Sequence, residues 1–394
     1  MVGIVAEYNP FHNGHLLHIE SSVKLADADG VVAVMSGNFV QRGEPALIDK
    51  WRRARTAVEN GVDLVVELPF FYATGSAEHF ASGAVRLLDA MGCVTHLSFG
   101  CEEGSVAPLA EAARVLAEES PAFKETLRAA LKSGMSFPRA RAEALRKEAG
   151  DASARLLDHP NNILAVEYLK QCALIESHLT PLAVKRAGAG CFEADPRGRI
   201  AGAAAIRDLF FAGRTEEALR YMPKWEGSLD AQRLDMYFTL IAAAVRLKNV
   251  SELRAVVSAS EGLENRLLRA LDAAFDMPSL LAAMETKRYT KTRIRRFLLH
   301  ALFGLTRERF AAFDAAWPGY LRVLALSEKG GGLLRLVKAR TDMPIVTNPG
   351  KRRLESPLAV GLAADILASD IYNLVGGAAR GGADYRTRPF VRRR

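Results

Sequence analysis

Two histidines flanking Asn13-Gly14 follow the apolar run Val2-Gly3-Ile4-Val5-Ala6 and a Pro-containing turn, in the segment Glu7-Tyr8-Asn9-Pro10-Phe11-His12-Asn13-Gly14-His15. A β-type run, a turn and His-x-Gly-His at a helix start can seat a nucleoside triphosphate. Backbone N–H groups of a helix start attract anionic oxygens, and His12 and His15 can donate to the phosphate under attack. Gly14 lets the backbone come close, because a Cβ there would hold the phosphate away. Arg42 and Lys50 are candidates for a second anion, either a carboxylate substrate or the pyrophosphate leaving group; a guanidinium grips a carboxylate bidentately and an ammonium does not. Glu7 would repel phosphate unless it ligated a cation or braced the turn. Arg207 could also reach the triphosphate.

These residues need a scaffold that presents strand ends. Four apolar runs rich in Val and Ile, at 3–6, 30–35, 63–68 and 95–99, alternate with helical patterns at 21–28, 50–60 and 76–91. That order predicts a Rossmann-like α/β domain built on a parallel sheet with crossover helices. Ligands of such sheets sit beyond the carboxyl ends of the strands, where His12, Ser36 to Arg42, Pro69 and Gly100 all fall. An Ala-rich helical stretch at 105–150, with Pro121 and Pro138 as breaks, reads as an insertion, and 179–186 as a fifth strand. After Asp208 helical patterns dominate. The expected organisation is a catalytic domain over 1–210, a mainly helical, basic domain over 211–379, and a flexible basic tail over 380–394.

Charge is divided unevenly. Residues 286–394 hold 22 Lys and Arg against 8 Asp and Glu, which leaves 31 against 37 for residues 1–285 of a chain whose net charge is +8. A basic back half suits a polyanion. Lys287, Arg288, Lys291, Arg293, Arg295 and Arg296 lie around a helix whose other side carries Ile294, Phe297 and Leu298, and Lys351, Arg352 and Arg353 add a second patch. Both are candidate nucleic-acid contacts.

Further segments share a pattern with the His motif: Met35-Ser36-Gly37-Asn38-Phe39-Val40-Gln41-Arg42-Gly43-Glu44-Pro45-Ala46, Gly61 to Phe70, Ser98-Phe99-Gly100, Pro160-Asn161-Asn162-Ile163-Leu164, Val184-Lys185-Arg186 and Thr292 to Arg296. The chain resembles the bacterial tRNA(Met) cytidine acetate ligases of the HIGH-motif nucleotidyltransferase superfamily. The resemblance covers most of the chain. It implies activation of acetate by ATP to acetyl-adenylate, then acetylation of N4 of the wobble cytidine of elongator tRNA(Met). It also implies nucleotide contacts along Val5, Ala6, Glu7, Tyr8, Asn9, Pro10, Phe11, His12, Asn13, Gly14, His15, Leu16, Leu17 and His18, at Gly100 beside the adenine, and at Asn161 or Asn162 with Arg186. Mg²⁺ is expected as a companion of ATP without dedicated protein ligands. Family members commonly carry Ser-Ala-Thr where this chain has Gly202-Ala203-Ala204. The loss of both hydroxyls keeps an RNA-binding protein with a decayed ATP site among the alternatives, beside a small-molecule nucleotidyltransferase.

Hydrophobic residues make up 49% and charged residues 25% of the chain, as in a globular protein, and no basic leader precedes the first apolar run. A cytoplasmic enzyme with no membrane contact is the expectation. Cys93, Cys101, Cys172 and Cys191 show no metal-type spacing and read as reduced packing residues.

Overall fold

The computed structural model describes residues 1–186, 200–223, 231–286, 288–378 and 380–393. Ten strands are present among them: β1 Val2–Ala6, β2 Val31–Ser36, β3 Phe39–Val40, β4 Glu44–Pro45, β5 Leu64–Leu68, β6 His96–Cys101, β7 Thr180–Lys185, β8 Leu321–Ser327, β9 Ile345–Val346 and β10 Phe390–Arg392. Eight of them form one sheet in the order β10-β8-β5-β2-β1-β6-β7, with β9 also paired to β8. Within this sheet the first-half strands pair in parallel, while β3 and β4 form a separate antiparallel pair. β2 and β5 are buried along their whole length, which is why their sequences are continuous apolar runs rather than alternating ones.

The chain moves outward from β1 through β2 to β5 and then returns across β1 to β6. That reversal leaves a crevice at the carboxyl ends of β1 and β6, the place where doubly wound sheets hold ligands. Helix Asn13–Ala26 begins at this crevice. Within the 105–150 stretch, Pro121 and Pro138 stand in the first turns of helices Pro121–Lys132 and Phe137–Leu156, so they start helices where the sequence suggested breaks.

The second half, expected to be mainly helical, also contributes strands to the sheet. Helices dominate from Ala203 to Ala315, but Leu321–Ser327 then enters the sheet as β8, antiparallel to β5. A seven-residue apolar run carries no period that separates a buried strand from a helix; the free edge of β5 decides it. The expected flexible tail is likewise corrected. Ala383–Arg386 is helical, Phe390–Arg392 pairs with β8, and Asp384 is fully buried. Helix Leu358–Val375 has the length and apolarity of a membrane span, with mean hydropathy 1.5 over 18 residues. Here its Gly361 lies against Phe313, and its Asp365 accepts from the Phe70 N–H at 2.7 Å.

Candidate active site

His12 ends the turn after β1 in extended backbone and caps helix Asn13–Ala26. Its Nδ1 accepts from the Gly14 N–H at 3.1 Å, and the His12 N–H in turn donates to His15 Nδ1 at 3.2 Å. A Cβ on Gly14 would stand 2.9 Å from the His12 ring, so glycine is needed for this close reciprocal cap. An imidazole whose Nδ1 accepts carries its proton on Nε2 when neutral. Both rings therefore present an Nε2–H donor, and they stack with centroids 3.7 Å apart. Tyr8 and Phe11, both buried, pack against the His15 ring from below at 5.0 and 5.5 Å.

Burial, and then the positive charges of Arg186 and Arg207, push His12 down to about 3. Burial with His12, His18 and Arg186 as neighbours holds His15 well below the ordinary histidine value. His18 is pushed down to about 4, again by burial first and Arg186 second. Its tautomer follows from its partners. The Ser22 hydroxyl donates to the His18 carbonyl at 2.6 Å, so the 2.7 Å Ser22–Ser98 contact uses the Ser98 proton and the His18 Nε2–H donates to Ser98 Oγ at 3.1 Å. At neutral pH the site thus offers neutral N–H donors beside Arg186 and Arg207.

Arg207 donates to the Asn9 carbonyl at 2.9 Å, and the Asn9 side chain accepts from the Leu47 N–H at 2.7 Å. Glu7 braces the turn: its Oε1 accepts from the Gln41 N–H at 2.9 Å, and its carbonyl accepts from Arg53 Nη1 at 2.5 Å. Burial raises the Glu7 pKa against the pull of Gln41 and Arg42. Arg53, which the motif reading missed, is 1% exposed and also donates to the carbonyls of Ser36, Gly37 and Ile48. Three strand-end segments are held by one guanidinium. Its signal in the sequence was only a second cation, after Lys50, on the buried face of helix Lys50–Glu59.

Gly100 lies at the end of β6 under the Arg186 side chain, where an added Cβ would meet Arg186 Cγ at 3.4 Å. Asn162 is 1% exposed and its Oδ1 accepts from the Glu102 N–H at 3.0 Å, while Asn161 Nδ2 donates to Glu102 Oε1 at 2.6 Å. These asparagines hold the loop that follows Gly100, and Glu102 Oε2 is buried there without a hydrogen-bond partner. Val5, Ala6 and Leu16 pack within the sheet layer, whereas Leu17 is 40% exposed. Pro10 follows Asn9 through a cis peptide bond. The segment that replaces Ser-Ala-Thr opens helix Ala203–Phe211, with Ile200 close to Gly14 and open space around Gly202.

Lys50 requires a correction as an anion ligand. It is fully buried, and its Nζ donates to both Glu67 oxygens at 2.8 Å and to Asp384 Oδ2 at 2.7 Å. Arg322, also fully buried, completes the cluster at 3.9 Å from Glu67 and 3.7 Å from Asp384. Arg42 is exposed, near enough to Glu7 and Arg207 to influence both.

The whole chain can now be set beside known proteins. A family model described as HIGH Nucleotidyl Transferase matches residues 1–383. A Thermoanaerobacter sp. protein named tRNA(Met) cytidine acetate ligase is 39% identical over 384 residues, covering 95% of each chain, and a Clostridium perfringens protein of the same name is 37% identical over 99% of each. The chain belongs to the tRNA(Met) cytidine acetate ligase family. Crystal structures of Thermotoga maritima TmcAL, one bound with alpha-thio ATP and one apo, superpose with TM-scores of 0.91 at 34% and 35% identity, over 99% of both chains.

In this member of the ligase family the basic helix Lys291–Phe303 differs from the sequence expectation. Arg288 and Arg293 pair with Glu261 at 2.9 and 3.0 Å, Lys291 with Glu285 at 3.6 Å, and Arg295 with Glu44. Arg296 is partly covered, and burial pushes it down to about 10. Gly43, at positive φ, lets the Arg42 loop ride on this helix; a Cβ there would strike the Arg296 N–H at 2.4 Å. Most cations of this segment are thus paired with carboxylates, Arg295 with the Arg42 loop and Arg288 and Lys291 at the exposed surface, and Lys287 lies outside the described residues. Lys351, Arg352 and Arg353 are exposed. Among the described residues they pair with no carboxylate.

Buried neutral histidines make stability depend on acid. His300 is pushed down to about 3 by burial, like His12. A histidine with a folded pKa below its unfolded value of about 6.5 stabilises fully above that pH, and the contribution is lost as pH falls toward the folded pKa. Each such group contributes a slope of up to about 1.4 kcal/mol per pH unit between about 6.5 and 3. His300→Gln should flatten the fall in urea midpoint between pH 7 and pH 5; an unchanged slope would show that His300 is not held neutral.

Proposed function

We propose that this chain uses ATP to activate acetate as acetyl-adenylate and transfers the acetyl group to N4 of the wobble cytidine of elongator tRNA(Met). The observation that carries the reading is the pair of imidazole Nε2–H donors at the β1–β6 crevice, flanked by Arg186 and Arg207. The names of the relatives and the nucleotide analogue bound to the Thermotoga protein supply the substrates.

An acetate oxygen attacks the α-phosphorus, the bond to the β-phosphate oxygen breaks, and pyrophosphate leaves. His12 and His15 donate to phosphate oxygens whose charge grows during this step, and as neutral groups they carry no proton that must first be lost. Asn161 and Asn162 act by fixing the Glu102 loop beside the base. Glu102 Oε2, buried with no partner, is an acceptor suited to a hydroxyl or amine of the nucleoside. Arg42 stands at the mouth for the carboxylate or the departing pyrophosphate. The cytidine N4 then attacks the acetyl carbon, AMP leaves, and the amine loses a proton.

Mg²⁺ entering with ATP supplies charge neutralisation at the phosphates. Among the described residues no three His, Cys, Asp or Glu side chains gather as cation ligands. A tRNA acceptor is in keeping with a cytoplasmic enzyme.

Incubation with ATP, labelled acetate and bulk bacterial tRNA, followed by digestion to nucleosides, tests acid, energy source and acceptor together. The expected product is labelled N4-acetylcytidine with one AMP formed per acetyl group. ATP binding without acetate-dependent pyrophosphate exchange would instead mark a decayed site.

A further inference from the structure

We propose that Tyr385 is a stacking platform for an unpaired RNA base, set in a cationic groove with Lys351, Arg352 and Arg353 at the ligand edge of the sheet. This inference rests on the reading of the chain as an RNA-acetylating enzyme.

The groove is open, has a volume of about 730 Å³, and is lined by Gly350, Lys351, Arg352, Arg353 and Glu355 among others. The three cations are exposed and face one carboxylate of the lining, that of Glu355. Tyr385 is 48% exposed. Its backbone carbonyl accepts from Asn348 Nδ2 at 2.7 Å, and Asn348 Oδ1 accepts from the Gly350 N–H at 2.8 Å. A Cβ on Gly350 would stand 3.4 Å from Tyr385 Cδ1, so the ring stands against Gly350 at the border of the groove. Arg386 flanks it: a Cβ on Gly382 would be 3.3 Å from Arg386 Nη1 and 3.5 Å from Tyr385 Cδ2.

Topology puts this groove at the same edge of the sheet as the adenylation crevice, on the far side of β5 and β2. β8 runs antiparallel to β5, with Val66 opposite Val323, so β8 begins where β5 ends, at the edge that also carries His12. β9 pairs with the first residues of β8, and the groove follows β9. The buried pair Asp384–Lys50 pins the residue before Tyr385 to the same edge.

The chemistry favours single-stranded RNA. Cytidine N4 is occupied in a base pair, so an acceptor base must be unpaired and its neighbours held. An aromatic ring among cations holds such bases by stacking while the cations track the backbone. An acidic protein segment would use the cations and leave the ring without a role.

The test uses the full chain with a fluorescein-labelled single-stranded RNA of seven nucleotides and its blunt duplex. Tyr385→Ala should weaken binding of the single strand by roughly 5- to 150-fold and leave the duplex nearly unchanged, while Tyr385→Trp restores it. Arg352→Gln with Arg353→Gln should lower the slope of log affinity against log salt by about 1.4 for the single strand. Circular dichroism melting verifies that each variant is folded. Wild-type affinity in folded Tyr385→Ala, or failure of Tyr385→Trp to restore binding, overturns the platform. So does competition by poly-glutamate at lower concentration than by RNA. Acetate-dependent pyrophosphate exchange is measured on the unmodified protein. Exchange without oligonucleotide binding rejects the platform alone, and absence of exchange rejects the ligase reading.

Discussion

His12→Ala and His15→Ala each lower acetate-dependent ATP–pyrophosphate exchange on the order of 10²-fold or more, the scale on which one preorganised donor to developing charge acts. His12 also caps helix Asn13–Ala26, and a lost cap costs about 1 kcal/mol. His12→Asn separates the two effects. Its side-chain oxygen can still accept from the Gly14 N–H, so stability returns while exchange stays low. The double variant should fall little below either single one, because the two rings stack and act on the phosphates as one unit. Wild-type exchange in a folded double variant would remove both residues from the chemistry.

Lys50→Ala and Asp384→Ala each destabilise the protein by about 3–5 kcal/mol, because either leaves one uncompensated charge in the buried cluster of Lys50, Arg322, Glu67 and Asp384. Removing Lys50 strands Glu67 and Asp384 beside the already under-satisfied Arg322, whose Nε and Nη1 have no hydrogen-bond partner. Deletion of residues 383–393 should act like Asp384→Ala and also uncover the edge of β8. The measurement is the urea midpoint, followed by exchange activity on the fraction that remains folded. A Lys50→Ala protein with unchanged stability but an acetate KM raised tenfold would restore Lys50 as a substrate ligand.

Local patterns determined the crevice. The apolar runs of β1, β2, β5 and β6 alternate with helical patterns, and that order is what marked them as inner strands of a parallel sheet. The turn from Glu7 to His15 is contiguous, so its cap, its glycine and its two imidazoles are set within nine residues. The resemblance added Gly100, Asn161, Asn162 and Arg186, and the fold brings all four to the end of β6 and β7.

Other features depended on partners distant in sequence. Lys50 opens a helix and reads as a ligand for a second anion; its fate is set by Asp384, 334 residues away. The run at 321–327 became a strand because β5 offered an unpaired edge, and the basic end of the chain became ordered because β8 offered the next one. The cations around Arg293 and those of 351–353 look alike as text. Glu261, Glu285 and Glu44 fold against the first group, whereas the second has Glu355 alone on its groove wall. Residue type and spacing therefore determined where chemistry could occur, but which charges remain available for it was decided by the tertiary structure, because a charge is neutralised or exposed only by what packs around it.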